Sequence, residues 1–319
     1  RAREPPSMVR VLSDDDVAAV LDLEALLGVV AAAFRKQGAG AVERPERPHF
    51  PVGEGLDPDA PGEPLGTGLV MPAYVHGDDH YATKLVGVHE GNEARGLPTV
   101  NAGIALTEAA TGLPAAYMAG TRITNARTGC IGGLAARELA TGPVSLGVLG
   151  AGTQARWQTR AIDAATDLRS VRIYSPSDSR RDCADDLREE LGVDAEAVDS
   201  PTAAVEGSNV VVTATTATGP VFPGEALAPG TVVVAVGAYT AEMQELDVTT
   251  FERAARTFAD VPEEAAETGD ARAGDLAADD LLAFSAVLEG EAGRENDHEI
   301  LVVESVGTAV LDAAAAGHL

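Results

Sequence analysis

Two glycines and an alanine in the middle of the chain have the spacing of a phosphate-binding turn. An apolar run at residues 145–149 leads into Gly150, Gly152 and Ala155, which form a G-x-G-x-x-A pattern, and a helix-like stretch follows. The first glycine allows a tight turn, the second lets backbone amides approach a pyrophosphate, and the small third residue keeps helix and strand close. The start of the helix adds positive potential. Because a strand and a helix flank it, the pattern predicts a dinucleotide site rather than an ordinary glycine turn.

The next β-like run, at residues 171–174, predicts which dinucleotide is bound. NAD-specific enzymes carry an acidic residue at the end of this strand for the adenosine ribose. Here Ser175, Ser177 and two arginines, of which Arg180 is the first, follow the strand instead. Hydroxyl and guanidinium groups suit a 2′-phosphate, because arginine can fork onto phosphate oxygens. NADP is therefore favoured, and NAD is the alternative, in which the arginines face solvent and Asp178 binds the ribose.

Lys84 is one of only two lysines in the chain, against 21 arginines, and it lies in the apolar run Tyr81-Ala-Thr-Lys84-Leu-Val. A lysine in such a run can be an edge-strand residue whose ammonium group reaches water. Position alone favours this interpretation, although a lysine in a chain nearly without lysines calls for a reason, and the motifs below overturn it.

The elements before residue 121 predict a sheet-rich domain. Ser13 and Asp16 can form a capping box at the start of a helix predicted at residues 14–36, where apolar residues recur at helical spacing. A segment rich in proline and glycine at residues 41–68 predicts turns. Short β-like runs follow at residues 68–75, 81–88, 99–106 and 114–118.

The elements after residue 121 alternate between helix and strand. A helix is predicted at residues 124–140, and an alanine-rich helix follows Ser305. Between them, apolar runs alternate with helix-like segments at residues 145–149, 171–174, 209–212, 231–236 and 300–303. Such alternation predicts a parallel sheet with helices on both faces. The fold class is therefore α/β, with a doubly wound Rossmann sheet beside an α+β, sheet-rich domain.

The charge of the chain excludes two classes of partner. Asp and Glu outnumber Lys and Arg by 50 to 23, a formal net charge of −27 over 319 residues. Nucleic acid and anionic membranes would repel it, and no apolar stretch approaches the roughly 18 residues that cross a bilayer. Acidic residues spread along the whole chain are typical of salt-loving organisms. Cys130 and Cys183 have no metal-ligand spacing, so the sequence predicts no metal site and reduced thiols in the cytoplasm.

Short motifs follow one another in one order along most of the chain. They are Met71-Pro-Ala-Tyr, Tyr81-Ala-Thr-Lys84-Leu-Val, Gly96-Leu-Pro-Thr-Val, Arg122-Ile-Thr-Asn-Ala-Arg127-Thr128-Gly-Cys, Gly150-Ala-Gly152-Thr-Gln154, Thr213-Ala-Thr215-Thr216, Ala235-Val-Gly237, Glu245-Leu246-Asp247 and Ser305-Val-Gly307-Thr-Ala. In this order they resemble the ornithine cyclodeaminase and mu-crystallin family. The resemblance implies a homodimer with a substrate-binding and dimerisation domain at residues 8–123 and 305–319, and an NAD(P)-binding Rossmann domain at residues 124–304.

The resemblance also implies roles for individual residues. Lys84, Arg127 and Arg47 would gather around the substrate α-carboxylate, which arginine binds by bidentate contacts. Lys84 would also be a general acid, since a lysine that is desolvated and crowded by cations trades a proton readily with a reacting nitrogen. Arg127 lies near a predicted helix start, where the dipole favours an anion, although it could be a solvated helix arginine. The serine and threonine turns at the expected cofactor site could be plain turn chemistry. The residues expected at the cofactor are Arg127, Thr128, Gly150, Gly152, Thr153, Gln154, Ser175, Ser177, Arg180, Thr213, Thr215, Thr216, Val236, Gly237, Ser305 and Gly307.

One position departs from the family pattern. In the cyclodeaminases, an aspartate lies two residues after the glycine of the Ala-Val-Gly motif and acts in the acid–base and cyclisation steps, whereas Tyr239 lies there in this chain. A phenol with a pKa of about 10 is a poor general base at neutral pH. The leading prediction is therefore an NAD(P)-dependent ketimine or pyrroline-2-carboxylate reductase, or an alanine dehydrogenase, with Lys84 and Tyr239 as candidate catalytic residues. The alternatives are an ornithine cyclodeaminase that forms proline and ammonia, and a non-catalytic, NADP-dependent ligand-binding protein of the crystallin kind.

Overall fold

The computed structural model describes residues 8–319, with the exception of the side chain of Glu93. The strands in chain order are β1 (Arg10–Leu12), β2 (Val42–Glu43), β3 (His49–Val52), β4 (Gly66–Val75), β5 (His80–Val88), β6 (Val100–Glu108), β7 (Pro114–Ala119), β8 (Val144–Leu149), β9 (Leu168–Tyr174), β10 (Asp194–Ala197), β11 (Val210–Thr213), β12 (Val232–Ala235), β13 (Ala254–Ala259), β14 (Leu282–Ala283) and β15 (Ile300–Glu304). The helices are α1 (Asp14–Val20), α2 (Leu23–Gly38), α3 (Gly120–Leu139), α4 (Thr153–Ala165), α5 (Ser179–Leu191), α6 (Pro201–Val205), α7 (Val248–Arg253), α8 (Pro262–Ala265), α9 (Gly269–Ala273), α10 (Phe284–Leu288) and α11 (Ala309–His318).

These elements form two compact units. Unit 1 contains residues 8–22, 39–124 and 309–319, and unit 2 contains residues 23–38 and 125–308. Helix α3 begins in unit 1 and continues in unit 2. The sequence analysis placed the segment of α2 in the sheet-rich domain. In the structure α2 belongs to unit 2, because its apolar face packs on α10 and α4. Phe34 of α2 meets Phe284 of α10 edge to face, with ring centroids 5.4 Å apart.

The segment predicted as one helix at residues 14–36 is divided in two. The capping box is confirmed, since Ser13 Oγ accepts from Asp16 N at 3.2 Å and Asp16 Oδ2 accepts from Ser13 N at 2.9 Å. Helix α1 ends where Leu21 takes an extended conformation. The break has a packing reason, because α1 packs on β7 and α2 packs on α10. Among the described residues no single helix is long and apolar enough to cross a membrane, and α1 and α2 reach that limit only when counted together.

The sheet of unit 1 has the order β1-β7-β6-β5-β4-β2, with β3 also paired to β4. Every pair is antiparallel except β1 with β7. Side chains alternate between the two faces of such a sheet. Ala82 and Lys84 of β5 are buried on the face that α11 covers, whereas Tyr81 and Leu85 are exposed on the other face.

The sheet of unit 2 is parallel throughout and has the order β10-β9-β8-β11-β12-β15-β13-β14. The chain proceeds from β8 to β9 and β10 on one side, and then returns to place β11 on the other side of β8. This is the switch point of a doubly wound fold, and ligands bind beyond the carboxyl ends of the strands there. Leu149, Thr213, Ala235 and Glu304 are neighbours in register and form that edge. The predicted fold class is confirmed.

Candidate active-site residues

The glycine turn after β8 has the shape that the motif predicts. Gly150 has a φ of +114°, and a Cβ there would lie 2.4 Å from the carbonyl oxygen of Ala214, so only glycine fits. Gly152 is the N-cap of α4 with extended backbone, and no side-chain hydrogen bond caps this helix among the described residues. The first backbone amides of α4 thus remain available for an anion. This turn fits the pyrophosphate of a dinucleotide.

Helix α3 packs closely on α4 within unit 2. A Cβ at Gly129 of α3 would lie 2.5 Å from the carbonyl oxygen of Trp157 in α4, so the missing side chain permits the approach. Gln154 Nε2 donates to Asn125 Oδ1 at 3.0 Å and links the two helices near the glycine turn. The contact brings Thr128 into the same region, since its carbonyl oxygen accepts from α4 at 2.9 Å. Thr153, the first residue of α4, is exposed.

The turn between β9 and α5 presents a row of hydroxyl groups. The Oγ atoms of Ser175 and Ser177 are 3.3 Å apart, and those of Ser177 and Ser179 are 2.5 Å apart. Arg180 Nη1 donates to the carbonyl oxygens of Ser175 at 3.1 Å and Ser177 at 2.8 Å, so the guanidinium group is fixed against the turn. Arg180 also lies 3.7 Å from the exposed Asp199, but its side chain is largely buried. Arg181 is largely exposed and pairs with Asp178 at 3.2 Å. The structure thus separates two arginines that look alike in the sequence.

The loops after β11 and β12 carry further predicted cofactor residues. Thr213 is fully buried at the end of β11. The chain then rises to the surface, since Ala214 and Thr215 are half-buried and Thr216 is exposed. Val236 and Gly237 are half-buried after β12. Both loops lie at the carboxyl edge of the parallel sheet, where a doubly wound fold binds its ligand.

The side chain of Arg127, in α3, lies against the loop that follows β15 at the same edge of unit 2. It is 4% exposed, which excludes a solvated helix arginine. Gly307 has a φ of +77°, and a Cβ there would lie 3.0 Å from Arg127 Nη1. The buried carboxylate of Asp260 accepts from Ser305 Oγ at 2.8 Å, from Val306 N at 3.1 Å and from Gly307 N at 2.8 Å. Burial raises the pKa of Asp260, although these donors and the positive charge of Arg127 oppose the rise.

Lys84 is buried in the centre of the unit 1 sheet. Strand β5 pairs with β4 on one side and β6 on the other, so the alternative of an edge-strand lysine is excluded. Its Nζ donates to Asp312 Oδ2 at 2.6 Å, and Asp312 Oδ1 accepts from Thr124 Oγ1 at 3.0 Å. The sequence predicted that surrounding cations weaken the hold of Lys84 on its proton. The structure corrects this, because a carboxylate at contact distance favours the ammonium form.

Sequence reasoning missed Asp312 and Asp260. Each had a signal, since Asp312 is the only acidic residue in the alanine-rich α11, and Asp260 directly follows the buried end of β13. Arg47 lies half-buried between β2 and β3, and Tyr239 is 48% exposed in the loop after β12. The roles of Arg47 and Tyr239 stay predictions.

Comparison with known proteins identifies the family. A model of the ornithine cyclodeaminase/mu-crystallin family matches residues 8–319. A Delta(1)-pyrroline-2-carboxylate reductase of Bacillus cereus is 30% identical over 318 residues, which are 97% of this chain and 95% of that protein. The structure of Thermococcus litoralis Delta(1)-pyrroline-2-carboxylate reductase in complex with NADH and L-proline has a TM-score of 0.89 and 30% identity, over 97% of this chain and 95% of that chain.

A second solved structure is similar over the same length. An archaeal alanine dehydrogenase dimer with bound NAD has a TM-score of 0.85 and 29% identity, over 97% of this chain and 93% of that chain. The family model and both structures extend across the sheet of unit 1 and the parallel sheet of unit 2. The chain belongs to the ornithine cyclodeaminase/mu-crystallin family.

Proposed function

We propose that this chain is an NAD(P)-dependent oxidoreductase that acts on the carbon–nitrogen bond of a small amino or imino acid. Its reaction is that of a ketimine or pyrroline-2-carboxylate reductase, or of an alanine dehydrogenase. The observation that carries the proposal is the buried pair of Lys84 and Asp312, a proton donor held in unit 1. The dinucleotide turn of unit 2 and relatives named for these two reactions support it.

The residues divide the chemistry between them. A bound nicotinamide supplies or accepts a hydride. Lys84 donates a proton to the nitrogen during reduction and takes one back during oxidation. Asp312 stabilises the ammonium form and fixes its direction, and Thr124 holds Asp312 in turn. Arg127 and Arg47 are the proposed ligands of the substrate carboxylate, since guanidinium groups bind carboxylates in a bidentate manner.

The preferred cofactor is NADP, with NAD as the alternative. The aligned hydroxyls of Ser175, Ser177 and Ser179 can donate to phosphate oxygens, and Arg180 adds a positive charge beside them. Asp178, the candidate for an NAD ribose, is exposed and engaged with Arg181. A 2′-phosphate suits this set of donors better than a ribose hydroxyl does.

Reduction is favoured over ornithine cyclodeamination because of Tyr239. Cyclodeamination oxidises the amine, assists attack by the side-chain amino group, releases ammonia and returns the hydride, so it requires a base beyond Lys84. A phenol does not supply that base at neutral pH. We expect imine reduction to exceed ornithine turnover by at least about tenfold, or roughly 1.4 kcal/mol in barrier.

Unit 1 is the proposed substrate-binding and dimerisation domain, and unit 2 the NAD(P)-binding domain. The face of the unit 1 sheet opposite α11 exposes large apolar side chains, among them Tyr81, Leu85, Tyr117 and Val11. An apolar sheet face of this kind marks a protein interface. A second copy of this chain is the proposed partner, in line with the dimeric archaeal relative.

The proposed environment is a salt-rich cytoplasm. Cys130 and Cys183 are both free and buried, as expected for reduced thiols. The net charge of −27 requires counter-ions for the compact state to tolerate its own repulsion.

Turnover by the purified protein in molar salt tests the function. NADPH and NADH oxidation is followed with pyrroline-2-carboxylate and with pyruvate plus ammonia, beside proline and ammonia release from ornithine. Oxidation with an imine is the expected result. Efficient conversion of ornithine without imine reduction would replace the proposal with the cyclodeaminase, and cofactor binding without any turnover would replace it with a non-catalytic binder.

A further inference from the structure

Glu245 collects hydrogen bonds from two separate loops of unit 2. Its side chain is 0% exposed. One carboxylate oxygen, Oε1, accepts from Thr215 N at 2.6 Å and from Thr215 Oγ1 at 2.8 Å. The other, Oε2, accepts from Thr213 Oγ1 at 2.8 Å and from Gly237 N at 2.8 Å. One buried carboxylate thus links the end of β11 to the end of β12.

The linked loops continue the row that begins at the dinucleotide turn. A Cβ at Gly150 would lie 2.4 Å from the carbonyl oxygen of Ala214, and a Cβ at Gly237 would lie 2.2 Å from that of Thr215. Three successive loops at the carboxyl edge therefore contact each other through backbone atoms. If one of these loops moves, it displaces the neighbouring loop, because glycine leaves no side chain between the two backbones to absorb the movement.

The position of Glu245 is itself set by a second carboxylate. Asp270 Oδ1 in α9 accepts from Glu245 N and from Leu246 N, both at 2.7 Å. Two further acidic side chains interact electrostatically with Glu245, Asp270 and Glu304 at the end of β15. Burial and the like charge of Asp270 raise the pKa of Glu245 to about 7, against the hydrogen bonds from both threonines.

We infer that Glu245 is a positioning residue for the cofactor, whose carboxylate sets the spacing between the loop at Thr213 to Thr216 and the loop at Val236 and Gly237. The inference rests on the proposed function only for the identity of the ligand as NAD(P). Glu245 acts through the loops, because all four of its donors belong to them.

Glu245→Gln tests the inference at constant size. The amide keeps one acceptor oxygen and replaces the other by a donor, which cannot accept from Gly237 N or Thr215 N. We expect the Kd values for NADH and NADPH both to rise about tenfold at pH 8, or about 1.4 kcal/mol. The single tryptophan, Trp157 of α4, reports binding by fluorescence. With substrate present, KM for the cofactor should rise while KM for the imine stays within about twofold.

Glu304→Gln is the matched control. Glu304 is equally buried at the same edge, and its Oε1 has no hydrogen-bond partner among the described residues. We expect its cofactor Kd at pH 8 to equal that of the parent. Thermal melts of both variants separate a loss of fold from a loss of binding.

The pH dependence of cofactor binding provides a second readout. Protonation turns an acceptor oxygen of Glu245 into a donor, so the parent Kd should rise as the pH falls below about 7. With NADH, which carries no 2′-phosphate, Glu245→Gln should lose the rise near pH 7 and keep only a change near pH 6, where Asp270 titrates. Thr213→Val removes one hydroxyl donor, which favours the protonated acid and should move the rise to higher pH. This variant keeps the test decisive if Glu245→Gln does not fold.

Two outcomes would overturn the inference. One is parental cofactor affinity and pH profile in Glu245→Gln, and the other is an equal loss of affinity in Glu304→Gln. Failure of the proposed function can be distinguished from failure of this inference. If the parent binds the dinucleotide but reduces no imine, the Kd values of parent and variants can still be compared.

Discussion

Burial removes the ammonium group of Lys84 from water, and the carboxylate of Asp312 contacts it instead. The pair is 2.6 Å long, and both side chains are almost fully buried. Removing one partner of such a pair leaves a charge without compensation and costs about 3–5 kcal/mol. The loss of activity in a single Lys84 variant would therefore mix chemistry with stability, and a test has to separate them.

The double variant Lys84→Met with Asp312→Asn makes that separation. It removes both charges together, so we expect a folded protein that binds NADPH like the parent. Turnover of the preferred imine should fall by about a hundredfold or more, because the proton donor is gone. Cofactor titration and steady-state rates measure the two effects, and turnover near that of the parent would show that Lys84 is not the acid.

Asp312→Asn alone tests the electrostatic role of the carboxylate. The amide oxygen can still accept from Lys84 Nζ, but the negative charge that favours the ammonium form is lost. The alkaline limb of the rate profile, where the acid loses its proton, should therefore move to lower pH. The measurement is kcat/KM for imine reduction against pH, and an unmoved limb would contradict the role given to Asp312.

Arg180 and Arg181 provide a matched pair for cofactor choice. Arg180 is fixed against the serine turn, whereas Arg181 is exposed and pairs with Asp178. Arg180→Ala should weaken NADPH by about tenfold or more and NADH much less, because only NADPH carries the 2′-phosphate. Arg181→Ala should change neither. Equal affinity of the parent for both cofactors would refute the preference for NADP.

At the scale of elements, glycines decide how closely helices approach. Gly129 in α3 meets the backbone of α4, while a Cβ built on Gly28 in α2 would meet nothing within 4 Å beyond its chain neighbours and its own helix backbone. Both are helical, so the intrinsic gain from replacing glycine by alanine is the same, and only the contact differs.

Gly129→Ala and Gly28→Ala should change stability in opposite directions. At Gly129 the new methyl group would lie 2.5 Å from the carbonyl oxygen of Trp157, so α4 has to shift, and we expect a loss of about 1–3 kcal/mol. At Gly28 we expect a gain of about 0.5–1 kcal/mol. Chemical unfolding measures both free energies. An unchanged free energy of unfolding in Gly129→Ala would mean that α3 and α4 are less tightly packed than described.

At the scale of the whole molecule, charge sets the conditions under which the fold persists. The 50 acidic residues outnumber the 23 basic ones, and ion pairs such as those of Arg156 with Asp186 and Arg160 with Glu190 neutralise only part of the excess. Salt screens the remaining repulsion, so that it acts over about 10 Å at 0.1 M salt but only about 3 Å at 1 M.

Stability should therefore rise with salt. We expect the melting temperature to increase by several degrees between about 0.1 M and 2 M potassium chloride, because counter-ions screen the repulsion. A melt of the parent at several salt concentrations measures this. The absence of a shift would refute the salt-loving interpretation and leave the enzyme assignment intact.

The sequence by itself determined the features that are local along the chain. The glycine spacing at Gly150 and Gly152, the alternation of strand and helix, and the order of the motifs predicted the Rossmann fold, the family and the enzyme class, and all three are confirmed. Local patterns suffice for these because turn geometry and periodicity depend on neighbouring residues. The roles of single site residues and the boundaries of the predicted domains stay predictions.

Only the tertiary structure decided which charged and polar side chains face each other. Lys84 and Asp312 are 228 positions apart, Ser305 and Asp260 are 45 apart, and Glu245 and Thr213 are 32 apart. No spacing rule connects such pairs, because they meet only after helices and sheets have packed. The same packing divided the helix predicted at residues 14–36, since its two halves bury their apolar faces against different elements. Burial then gave each carboxylate its effect, because charge–charge interactions and pKa shifts grow as water is excluded.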